Sequence, residues 1–132
     1  MYRETDIIPE LTLDGHYLPR NQPEELAIPT VIDTGSGLSY LQGGESHQIP
    51  DNNLADETLM VRLATGSTIK VDRVSHGRLR LVSSSGAEYQ NLVSLYVLPG
   101  RQLQIIMGHD LIDQFQIEIK SADRASIGAD TL

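Results

Sequence analysis

The chain contains no cysteine. Disulfides, thiolate nucleophiles and cysteine-based zinc sites are therefore excluded. Cationic residues are scarce: 10 Lys and Arg stand against 18 Asp and Glu, for a net charge of −8. Binding to a phosphate backbone needs a basic face, so nucleic acid is not an expected partner. No apolar run approaches the length of a bilayer span, and no membrane contact by this domain is expected. The opening MYRETDIIPE does not read as a signal peptide. His16, His47, His76 and His109 are scattered without ligand spacing, so neither a metal nor a cofactor is expected. No glycine-rich phosphate loop or dinucleotide fingerprint occurs. Ser36 is not in a Gly-x-Ser-x-Gly elbow, because Thr34 stands two residues before it.

What is present is an ordinary globular balance. The 132 residues are 39% hydrophobic and 21% charged, enough for one domain, 1–132, with a modest core. That core is expected over about residues 8–120, followed by a polar, loose tail at 121–132. Most segments read as strands. ELTLDGHYL alternates and carries Asp14-Gly15, a strong hairpin dipeptide. Gln42 to Glu57 reads as turn-rich and exposed. LMVRLATGSTIKVDRV reads as two short strands around Thr65-Gly66-Ser67. GRLRLV and YQNLVSLYVL flank a second hairpin turn at Ser83 to Gly86, and QIIMG is an apolar strand. HDLIDQF reads as one or two helical turns, and FQIEIK alternates through Phe115, Ile117 and Ile119 as a half-buried strand. The pattern predicts an all-β, barrel-like domain with one short helix near the C-terminus.

One stretch carries chemistry. In TVIDTGSGLSYL, Asp33 ends an apolar strand and enters a Thr-Gly-Ser turn. An Asp at a strand end commonly bonds nearby backbone N–H groups and does nothing more. Here its flanks add to it: Thr30-Val31-Ile32 before, then Thr34, then Gly35, which permits close backbone approach, then the hydroxyl of Ser36.

These residues resemble the retropepsin-like aspartic proteases. Val31-Ile32-Asp33-Thr34-Gly35-Ser36 fits that family's first motif, and Ile106-Met107-Gly108-His109-Asp110-Leu111-Ile112 fits its second. VRLATGSTIKV lies between them, where the family carries its flap hairpin, and ELTLDGHYL looks like its first hairpin. The resemblance runs from about Ile8 to Lys120. It implies a small closed barrel, a homodimer and an aspartic endopeptidase that cuts extended peptides with apolar residues around the scissile bond. Asp33, Thr34 and Gly35 would be catalytic, with Ser36, Gly108 and Asp110 in support. Thr65, Gly66 and Ser67 of the flap, with Leu38 and Ile106, would meet substrate, and Val71 and Leu98 are further candidates for apolar walls. Ser36 is expected to donate to the Asp33 carboxylate, which favours its ionised form and an acidic pH optimum. Gly37 and His109 stand where many retroviral members pair an Asp with an Arg. A catalytically weak dimerisation or peptide-binding module is the alternative within the family. An unrelated all-β interaction domain is the alternative outside it.

Overall fold

A computed structural model describes residues 7–44, 49–62 and 66–132. The strands are β1 (Ile7–Pro19), β2 (Leu26–Asp33), β3 (Tyr40–Gln42), β4 (Asn53–Arg62), β5 (Thr68–Val82), β6 (Glu88–Leu98), β7 (Gln104–Met107), β8 (Ile117–Ser121), β9 (Arg124–Ile127) and β10 (Asp130–Thr131); helix α1 (His109–Phe115) lies between β7 and β8. The main sheet runs β1-β2-β7-β3-β6-β5-β4, and β1 also pairs with β5. That pairing closes a six-stranded barrel, with β4 added outside it on β5. The expected all-β barrel with one short helix is thus observed.

Alternation builds the interior. Along β1, Leu11, Leu13 and Tyr17 face inward while Thr12 and Asp14 face water. They meet Ile28 and Ile32 of β2, Leu79 and Leu81 of β5, and Leu95 of β6. The Tyr17 phenol has its polar end matched by Ser75 Oγ at 2.7 Å. Helix α1 closes one end of this core with Leu111, Ile112 and Phe115. It stops at Gln116, whose left-handed conformation (φ 58) turns its N–H back onto the carbonyls of Ile112 and Asp113.

Strand β7 is buried on both faces. Ile105 and Met107 join the barrel core, whereas Ile106 joins a second cluster with Tyr40, Val61, Val71 and Leu98. A strand with two apolar sides reads as an unbroken apolar run, which is why QIIM does not alternate.

Five expectations need correction. The short strand expected after Gly66 and the strand expected at GRLRLV are one, because β5 runs unbroken from Thr68 to Val82. Asp14-Gly15 is not a turn, because β1 runs straight through it to Pro19. Gly15 instead faces Ile28 on one side and Leu81 on the other, where the barrel closes. A Cβ there would lie 2.1 Å from Thr30 Oγ1, so the glycine serves close packing of strands. The segment Gln42 to Glu57 is not uniformly exposed: Ile49 and Asp51 are buried, and β4 begins at Asn53. Phe115 ends α1 rather than opening a strand, and Ile119 is partly exposed on β8. The tail is not loose. Strands β8, β9 and β10 form a second sheet, with Ala125 and Ser126 buried. The β5–β6 hairpin ties down its end: Ser84 N–H donates to the Thr131 carbonyl at 2.6 Å, and Ser85 in the turn and Tyr89 on β6 donate to the Asp130 carboxylate.

Candidate active site

The two sequence motifs meet through β7. It runs parallel to β2 (Thr30↔Ile105, Val31↔Ile106, Ile32↔Met107) and antiparallel to β3 (Tyr40↔Ile106). Asp33 ends β2, and the chain then loops through Thr34 to Ser39 before entering β3. Because β7 lies between those two strands, its end at Gly108 enters the mouth of that loop. The fit admits no side chain: a Cβ on Gly108 would lie 2.2 Å from the Leu38 carbonyl oxygen and 2.7 Å from that of Ser36.

Hydrogen bonds fasten the loop to the start of α1. His109 N–H donates to the Ser36 carbonyl at 2.8 Å, and Asp110 N–H to that of Gly37 at 3.1 Å. The Ser39 hydroxyl donates to the Asp110 carboxylate and accepts from Gly108 N–H at 2.9 Å. Leu111 N–H donates to the same carboxylate oxygen at 2.8 Å. Asp110 therefore holds the helix to the loop, which is more specific than the helix-start preference visible in the sequence.

Asp33 is fully buried, and its Oδ1 accepts from Gly35 N–H at 3.0 Å. Its neighbours Gly35, Gly37 and Leu38 are exposed, so the loop that carries the carboxylate lies at the surface. Ser36 departs from expectation. Its hydroxyl donates to the Leu38 carbonyl at 2.8 Å, and a hydroxyl has one proton to give. It closes the loop on itself instead of serving the carboxylate.

Two residues of this neighbourhood, Ser39 and Tyr40, escaped the sequence reading, and a third, His109, was noted only as a departure from the family's ion pair. Tyr40 is buried with its phenol beside Ser36, and burial pushes its pKa up. The Ser36 hydrogen bond opposes that shift, and the charges of Asp110 and Asp33 add to it. Ser39 bridges Gly108 and Asp110, and His109 Nε2 lies 2.7 Å from the Thr34 carbonyl. The serine and tyrosine of GLSYL carry no periodic signal of their own. Only their closeness to Asp33 in the chain could have flagged them.

The expected flap is the β4–β5 hairpin, paired from Leu59↔Val71 to Arg62↔Thr68. Thr65 lies outside the described residues. Gly66 is exposed, with φ +88 and open space where a Cβ would be, and Ser67 is exposed as well. The hairpin's inner side chains, Leu59, Val61, Ile69 and Val71, pack on Tyr40, Leu98 and Ile106. Ile106, Val71 and Leu98 are thus buried in the single chain, whereas Leu38 is exposed on the loop. A cavity of about 420 Å³ opens elsewhere on the barrel, between Leu18, His76, Arg78 and Leu92. It has no carboxylate in its lining and none of the Asp33 loop.

No protein-family model matches this chain, and no curated protein matches it either. Among the described residues, no helix is long and apolar enough to cross a membrane.

Proposed function

We propose that the chain is a retropepsin-like aspartic endopeptidase that acts as a homodimer. The observation that carries the reading is the convergence of its two motifs. A buried Asp33 carboxylate, held by Gly35 N–H, is seated in a loop whose mouth is filled by Gly108. Neither a bare turn aspartate nor an isolated glycine requires the other to be there.

Peptide hydrolysis by this route needs two carboxylates that share a proton. One takes a proton from the attacking water while the other donates to the scissile carbonyl; the roles reverse as the intermediate collapses. The chain has one Asp-Thr-Gly. Asp130-Thr131 lacks the glycine, and its carboxylate is engaged by Tyr89 and Ser85. The second Asp33 therefore comes from a second copy, across a two-fold axis. In that dimer Thr34 bonds to the partner's loop and keeps the carboxylates coplanar, and Gly35 presents its carbonyl to substrate. The hairpin bearing Gly66 and Ser67 closes over an extended peptide, which pairs with it as a strand would.

Asp33→Asn is expected to abolish cleavage of an unstructured protein while leaving circular dichroism and the unfolding midpoint near wild type. Cleavage by the wild type, sensitive to a statine-type inhibitor and lost in the variant, supports the reading. Wild-type chains that bind such peptides without cutting them would replace it with a peptide-binding role.

A further inference from the structure

Two hydrogen bonds meet on one peptide group. The amide that joins Thr34 to Gly35 has its carbonyl oxygen 2.7 Å from His109 Nε2. Its N–H lies 3.0 Å from Asp33 Oδ1. A carbonyl only accepts, so Nε2 carries the proton and donates. Hydrogen bonds in series polarise one another: a donor on the carbonyl draws electron density to the oxygen and makes the N–H at the other end a stronger donor. The imidazole thus bears on the Asp33 carboxylate through a single amide, without touching it.

The ring is in a position to do this reproducibly. The backbone of His109 is fixed to the same loop, through its N–H to the Ser36 carbonyl, and Asp110 is fixed to Gly37. The nearby ionisable groups are Asp110 on α1 and Tyr40 on β3, and Tyr40 feels the charges of both Asp33 and Asp110.

We propose that His109 is a positioning residue for Asp33: its Nε2–H fixes the Thr34–Gly35 peptide plane and thereby aims and strengthens the Gly35 N–H on the carboxylate. This deepens the protease reading, and rests on it only for the consequence in turnover. The effect on the carboxylate is read with no substrate present.

The test is a ¹³C NMR titration of the Asp33 carboxyl in the full chain, for wild type, His109→Gln and His109→Ala. The glutamine amide keeps an N–H donor near the place of Nε2, whereas alanine removes it. The first titration midpoint of Asp33 is expected to rise by about half a pH unit in the alanine variant, as for the loss of part of one hydrogen bond. Glutamine should recover most of that shift, and the Gly35 amide proton should move upfield in the alanine variant and back in the glutamine one. A role confined to holding the fold would lower stability but leave the midpoint in place. Equal midpoints in three folded proteins overturn the proposal. Should the alanine variant not fold, the wild-type ring decides: ¹⁵N spectra that place the proton on Nδ1 and leave Nε2 bare overturn it too. If the midpoints shift as expected but wild type cuts no peptide, the protease reading fails and the role of His109 stands.

Discussion

Gly108 sits where no side chain fits. The two atoms that a Cβ would strike are backbone oxygens of the Asp33 loop, at 2.2 and 2.7 Å, so relief requires the loop itself to move. Gly108→Ala is expected to cost about 3 kcal/mol, read by urea unfolding, and to lower kcat/KM if the proposed protease activity holds. Ser36→Ala removes the hydroxyl's bond to the Leu38 carbonyl and its contact with the Tyr40 phenol. The expected cost is about 1 kcal/mol, and since the hydroxyl proton serves Leu38, the acid limb of the pH profile should not move. A limb displaced upward would place the hydroxyl on the carboxylate after all. Asp51 is a third case. Burial by itself pushes its pKa up, but the His76 N–H, the Asn53 amide and the Arg20 guanidinium outweigh that and hold it below the ordinary range. A depressed folded-state pKa contributes stability that is present above the unfolded value and lost as pH falls through the folded one. Asp51→Asn should therefore be less stable than wild type at neutral pH, with the gap closing below about pH 4. A gap that stays constant from neutral to acid conditions would remove the carboxylate charge from the account.

At the scale of elements, the tail offers the sharpest test. Strands β9 and β10 bury Ala125 against the main core and bond to the β5–β6 turn. A chain ending at Lys120 should unfold at a clearly lower temperature; an unchanged midpoint would make the tail an appendage. The sequence concealed this because the tail buries small residues, Ala125 and Ser126, and its Asp130 carboxylate is bonded by Ser85 and Tyr89, which are distant in the chain. Hydropathy registers neither. The strands with large apolar faces, TVID and QIIM, were legible because one or both sides are buried. The helix was legible from Leu111, Ile112 and Phe115, which fall on one face. Asp14-Gly15 misled because a glycine needed for a close strand crossing is spelled like one needed for a turn. The site divides in the same way. Asp33, Gly108 and Asp110 could be found from motif and order, whereas the bonds of Ser39, Tyr40 and His109 depend on β7 lying between β2 and β3, which no local pattern states.

At the scale of the whole molecule, the proposed site exists only between two chains. Specific activity should fall on dilution as dimers dissociate. Adding Asp33→Asn chains to wild type should depress activity beyond simple dilution, because a mixed pair holds one intact carboxylate. Constant specific activity at concentrations where light scattering finds only monomer would rule out the shared site. The parallel pairing of β2 with β7 also has a consequence in time. It joins residues 30–32 to residues 105–107, the far end of the barrel in chain order. A growing chain carries Asp33 early but has nothing to seat it until β7 and α1 emerge, and contacts this remote are slow to form. The carboxylate stays in water until then. If the proposed activity holds, an unfinished chain cannot yet seat the carboxylate that would cut its neighbours, whatever its chance of meeting a second copy.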